Sequence, residues 1–212
     1  MKLNVRGFTF DVALAGPVDG RPILLLHGFP QNRTQWDRLL PHLHAAGFTT
    51  IAPDQRGYSA GARPSEVEAY AIDELVADAV GILDALGLDA IDVVGHDWGA
   101  IVGWHLAAEH PDRVRSFTAV SVPHVSAMAE AMATDDDQKQ KSSYVQLFRQ
   151  AGKAEDLLLA DDGARIRAMF AGCPESEIDD YVAPMLDRAT LTGALNWYRA
   201  MHRTTMEAPP VA

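Results

Sequence analysis

Cysteine is nearly missing from this chain. The one thiol, Cys173, has no partner for an internal disulfide, which fits a reducing compartment. Its neighbours Gly172 and Pro174 mark it as a turn residue. Positive charge is scarce as well: 18 Lys and Arg stand against 29 Asp and Glu, a net charge of −11. That balance disfavours nucleic acid and anionic membranes as partners. No apolar run approaches the ~18 residues of a membrane span. The start, Met1 to Arg6, lacks the long apolar core of a signal peptide. Repeats and low-complexity tracts are lacking. His42 and His44 form no metal pattern, and Asp135-Asp136-Asp137 reads as a solvated turn or helix cap. The expectation is a cytoplasmic protein without nucleic acid, membrane, metal or cofactor.

What the chain has is apolar content, 48% of 212 residues, enough for one core with or without an insertion. Residues 2–6 and 8–14 alternate and predict a hairpin turning at Gly7. A continuous apolar run at residues 22–26 predicts a strand buried on both faces, and residues 48–52, 90–94 and 114–122 predict further strands. Between them lie helical spacings. Trp36, Leu39, Leu40 and Leu43 form one, with Pro41 as an interruption or restart. Ile72, Leu75, Val76, Ala79, Leu83 and Leu86 form a stronger one, closed by Gly87. Alternating strand and helix predicts a doubly wound, mostly parallel sheet, with ligands at the strands' carboxyl ends. Past Pro123 only helices and turns remain, with candidates at 144–148, 154–159, 166–170, 178–186 and 191–201. A helical segment in that place reads as a lid over the sheet's active edge. The divisions are a core at 1–124, a helical cap at 125–206 and a frayed tail at 207–212.

The densest chemical signal is Gly95-His96-Asp97-Trp98-Gly99, between an apolar β-branched run and a small-residue helix. Strand, tight turn and helix make a nucleophile elbow, with Asp97 where serine usually stands. A carboxylate needs no base to become a nucleophile. Asp97 can attack a saturated carbon bearing an activated leaving group and form an ester. Water then hydrolyses that ester, a step that requires an oxyanion hole and a general base. The hole is placed at the backbone N–H groups of Trp98 and of Phe29, in the loop after the earlier strand. His27 and Pro30, in the same loop, are expected to line the pocket. The base has no place. His105, His110, His124 and His202 follow Asp97, but none follows a late strand, and His96 should point away from the turn.

Four motifs then carry a family resemblance: His27-Gly28-Phe29-Pro30, Asp54-Gln55-Arg56-Gly57-Tyr58-Ser59, Gly95-His96-Asp97-Trp98-Gly99 and Ser121-Val122-Pro123-His124. Together they resemble the α/β-hydrolase-fold epoxide hydrolases, with haloalkane dehalogenases as near relatives, from about residue 5 to about 203. The resemblance implies a small apolar epoxide as substrate and two cap tyrosines that hydrogen-bond the epoxide oxygen. Tyr144 and Tyr198 sit in the matching runs, with Trp197 beside the second as a pocket residue. From their residues alone, both tyrosines read as packing side chains of lid helices. The resemblance further implies two late strands and helices carrying an acid and the catalytic His. The chain reaches Ala212 before any such segment. On that expectation the ester forms but turns over poorly, and the strand near 115–122 is a bare edge. A homo-oligomer through that edge or the cap is expected. Two rivals stand beside the epoxide reading. One is a haloalkane dehalogenase using the indoles of Trp98 and Trp197; the other is a truncated, non-catalytic binding module.

Overall fold

Side-chain alternation decides how each strand divides its residues between the two faces of the sheet. The computed structural model describes residues 1–201. β1 (Lys2–Val5) and β2 (Phe8–Ala15) pair antiparallel around a turn at Arg6 and Gly7, both with positive φ. β3 (Arg21–Leu26) follows, then a single 3-10 turn at Arg33–Trp36 and α1 (Leu40–Ala45). Pro41 sits in the first turn of α1, where its missing N–H costs nothing, so it restarts the helix. β4 (Phe48–Pro53), α2 (Ile72–Ala85), β5 (Ile91–His96), α3 (Trp98–Glu109) and β6 (Val114–Val120) complete the sheet layer.

The strand order is β1-β2-β4-β3-β5-β6, antiparallel at the first two pairings and parallel at the rest. Ile23 and Leu25 of β3 face a small core with Trp36, Ala52 and the apolar side of α1. Leu24 and Leu26 face the large core, with Ile51, Val93, Leu75, Leu83 and Leu106. The chain leaves β3 for β4 on one side, then crosses back to β5 on the other. The sheet therefore has its switch point between β3 and β5, where the carboxyl ends of parallel strands open a crevice. β6 forms the edge, and Val120 on it is 39% exposed. It ends two residues short of the predicted 122, because Ser121 takes φ +71 and turns the chain away.

Six helices follow. α4 (Val125–Thr134) and α5 (Asp136–Lys141) have no counterpart among the predicted helices; α5 is polar with no buried residue, whereas α4 does carry apolar residues at helical spacing, Val125, Met128, Ala129 and Met132. Asp135 caps α5 through the N–H groups of Asp137 and Gln138. α6 (Tyr144–Phe148) is a short segment. α7 (Lys153–Ala168) is broken at residues 160–163, where Asp161, Asp162 and Gly163 take positive φ, so the two predicted pieces are real halves. α8 (Glu175–Met185) and α9 (Arg188–Arg199) close the described chain. No described helix is long and apolar enough to cross a membrane.

α9 is held against the sheet layer by the turn after β4. Gly57 and Gly193 meet backbone to backbone, so a Cβ on either would strike the other's main chain. The buried Trp197 Nε1 donates to the Arg56 carbonyl at 2.8 Å. The Arg56 guanidinium, 1% exposed, forks onto Asp78 of α2 with two bonds of 2.6 Å. A buried pair so satisfied fixes geometry more than it adds stability. It holds the turn that holds the helix bearing Tyr198.

Candidate active site

At the end of β5 the chain breaks out of strand geometry. Asp97 takes φ 52 and ψ −120, and α3 begins at the next residue. A non-glycine residue held there stores roughly 1–3 kcal/mol of strain. The surroundings over-determine it. The Asp97 N–H donates to the Val120 carbonyl at 3.3 Å, and its carbonyl accepts from Ala100 and Ile101 at 2.9 and 3.1 Å. The neighbouring glycines leave room for nothing larger. A Cβ on Gly95 would strike the Gly99 backbone, one on Gly99 the Leu26 carbonyl, and one on Gly28 the Asp97 side chain.

The Asp97 carboxylate accepts from the Phe29 N–H, 2.8 Å to Oδ1, and from the Trp98 N–H. Two backbone donors from separate strand ends thus converge on one side chain. Burial pushes the Asp97 carboxyl above the ordinary carboxylate value, while these two donors and His96 pull it back. Tyr198 and Tyr144 stand across from it. Tyr198 is 3% exposed and sits in a cage of edge-on rings, with Trp98, Phe148 and Phe29 at 5.2, 5.0 and 5.4 Å between centroids. Arg149 fixes its backbone, donating from Nε to the Tyr198 carbonyl at 2.9 Å. Burial and then the Asp97 charge push the Tyr198 phenol well above its ordinary value, so it stays protonated. Tyr144 stands edge-on to Tyr198, 6.2 Å between centroids, and is raised by the same two causes, though the residue is 46% exposed at the rim.

Two cavities meet at these residues. One, of about 540 Å³, is lined by Phe29, Pro30, Leu147, Phe148, Leu158 and Phe170 among others. The other, of about 360 Å³, is lined by Trp98, Ile101, Val125, Met128 and Met132 among others. Asp97, Tyr144 and Tyr198 line both. A carboxylate and two phenols therefore front two mostly apolar spaces at once. Among the described residues no group of three His, Cys, Asp or Glu gathers closely enough to hold a metal ion.

Two expected pocket residues are corrected. His27 lines neither cavity. It is 0% exposed, with Nδ1 at 3.0 Å from the Gly28 carbonyl and Nε2 accepting from the Gln55 N–H at 3.1 Å. Gln55 returns a bond of 2.6 Å to the His27 carbonyl, so the ring latches the loop after β3 to the loop after β4. Burial lowers its pKa to about 4 from 6.5, and the ring is neutral. The unfolded chain binds this proton below ~6.5 and the native chain only near 4. Stability should therefore fall as pH drops through that window, by up to about 3 kcal/mol. Urea midpoints at neutral pH and near the lower limit measure the loss, which His27→Gln should reduce. Trp197 is the second correction. It packs edge-on behind Trp98, 5.5 Å between centroids, and its indole N–H is spent on Arg56. Pro30 does line the larger cavity.

No described histidine lines either cavity. His105 pairs with Glu109 at 2.8 Å, and His124 Nδ1 caps α4 at 3.3 Å from the Ser126 N. His202 and the tail at 207–212 lie outside the described residues. Sequence reading missed Gln31 and Arg165, which line the larger cavity, and the methionines of α4, which line the smaller. Gln31 follows a recognised loop directly and was within reach. Arg165 gave no signal, because the break in α7 sets which way the following residues face.

Residues 21–175 match the alpha/beta hydrolase fold family. The chain is 34% identical to an AB hydrolase superfamily protein of Bacillus subtilis, over 98% of its own length and 75% of that protein's. It is 32% identical to epoxide hydrolase A of Mycobacterium tuberculosis, over 95% of this chain and 73% of the relative. Among solved structures it superposes on epoxide hydrolase A from Mycobacterium thermoresistibile with a TM-score of 0.83 and 30% identity, covering 97% of this chain and 75% of that one. It thus spans about three quarters of the length of these relatives.

Proposed function

The chain belongs to the alpha/beta hydrolase fold family, and from that premise we propose that it opens epoxides through a covalent ester on Asp97, with residues 1–124 as the catalytic core and the helices from Val125 onward as its cap. The observation that carries this is the shared frontage of Asp97, Tyr144 and Tyr198 on two adjacent, mostly apolar cavities. Oδ1 of Asp97 is held by the Phe29 N–H, which leaves Oδ2 as the attacking oxygen. It forms a bond to one ring carbon while that carbon's bond to the epoxide oxygen breaks. The released electron pair goes to the oxygen, which takes a proton from Tyr198 or Tyr144. Their raised phenol pKa values keep that proton available at any ordinary pH. The resulting tyrosinate recovers a proton from water, and the product is a hydroxyalkyl ester of Asp97.

Hydrolysis of that ester places negative charge on its carbonyl oxygen, where the Phe29 and Trp98 N–H groups stand ready. The attacking water needs a base, and no described histidine lines the site. A polypeptide of these 212 residues is therefore expected to accumulate the ester. Exposure to styrene oxide should add one epoxide mass per chain, seen in the intact-protein mass spectrum, and the adduct should persist after excess epoxide is removed. Halide release requires side-chain N–H donors, and Trp197 has none to spare. Halide release from butyl bromide with no epoxide adduct would reverse this choice.

A further inference from the structure

The larger cavity holds a charge that this chemistry does not use. Of its lining residues only Asp97 and Arg165 carry a full charge. Arg165 is exposed in the second half of α7, past the break, and has no ion-pair or hydrogen-bond partner among the described residues. Arg167, two residues on, is spent on Glu175 at 3.0 Å and on Asp179. The Gln31 amide lines the same cavity, and its Oε1 is buried with no hydrogen-bond partner. Between these groups and Asp97 the walls are apolar, with Leu147, Leu158 and Phe170.

We propose that the larger cavity receives an epoxide substituent ending in a carboxylate, with Arg165 as the specificity-determining contact; the Gln31 Oε1, itself an acceptor, does not hold that charge. This rests on Asp97 being the nucleophile for epoxides. A planar guanidinium matches a carboxylate with two parallel N–H bonds. The net charge of −11 repels anions in general, so a lone guanidinium at this cavity selects locally. Anchoring the charge at Arg165 lays the methylene chain along the apolar wall and brings the epoxide to Asp97. The second substituent then enters the smaller cavity. A tail that is too short leaves the epoxide out of reach, so the preference should peak at one chain length. Because Arg165 is exposed, the preference is modest, about fivefold.

The test compares ω-epoxy alkanoates of increasing chain length with their methyl esters, reading the rate of adduct formation by intact mass. At the best length the free acid should react about fivefold faster than its ester. The ratio should shrink with added salt, collapse toward unity in Arg165→Met, survive in part in Arg165→Lys, and persist in Arg167→Met. Equal rates for acid and ester at every length would overturn the proposal while leaving the epoxide reading intact, as would a ratio unchanged in Arg165→Met. No adduct from either probe or from styrene oxide would overturn the epoxide reading, and this inference with it.

Discussion

Asp97→Asn is expected to slow epoxide opening by about 10,000-fold or more. The amide has nearly the shape of the carboxylate, and its oxygen can still accept from the Phe29 N–H, but it carries no charge with which to attack carbon. Asparagine tolerates positive φ better than most side chains, so the elbow at φ 52 persists. The urea midpoint should hold or rise, because a charge held under burial has been removed. Lost activity with retained stability separates a nucleophile from a structural residue. The wild-type pH profile carries the same signature. A protonated carboxyl is not a nucleophile, so adduct formation should fall as pH drops through the raised Asp97 value. No matching loss is expected on the alkaline side, since both phenols are raised. Single-turnover consumption of styrene oxide across pH measures both limbs.

Tyr198→Phe should cost about a hundredfold in the same assay, the usual range for removing one positioned proton donor. The phenyl ring keeps the aromatic cage with Trp98, Phe148 and Phe29, so the fold loses only a hydroxyl. Tyr144 can still donate, being beside Tyr198 and open to both cavities. Its exposed position makes it the weaker donor, and Tyr144→Phe alone should cost less than Tyr198→Phe. The double variant should fall well below either one. If Tyr198→Phe reacts at the wild-type rate, the tyrosine is a packing residue, as its burial in α9 would suggest without the site.

The sheet layer was legible because its signals are local. Apolar β-branched runs gave the parallel strands, and the 3.6-residue spacing from Ile72 onward gave α2. The elbow was legible because no other residues fit where Gly28, Gly95 and Gly99 meet. Illegible parts depend on where side chains go after the backbone is set. His27 and Trp197 stand in or beside recognised motifs, yet one latches two loops and the other braces α9. Both are large polar aromatics whose hydrogen-bond partners come from distant loops, and a motif does not name the partner. α5 was illegible because a polar, exposed helix needs no apolar stripe; α4 was legible, with Val125, Met128, Ala129 and Met132 at helical spacing, and was missed. Arg165 depended on a break in α7 at three consecutive positive φ values, of which only Gly163 gives a sequence hint.

The Asp97 ester is tested most directly by locating the adduct. The protein is exposed briefly to styrene oxide, quenched in acid, digested, and the peptide containing Gly95 to Gly99 is fragmented by mass spectrometry. One hydroxyalkyl group on the Asp97 carboxyl, absent in Asp97→Asn, is the expected result. An unmodified Asp97 in a folded protein that consumes the epoxide, or an adduct carried only on another side chain, would contradict it.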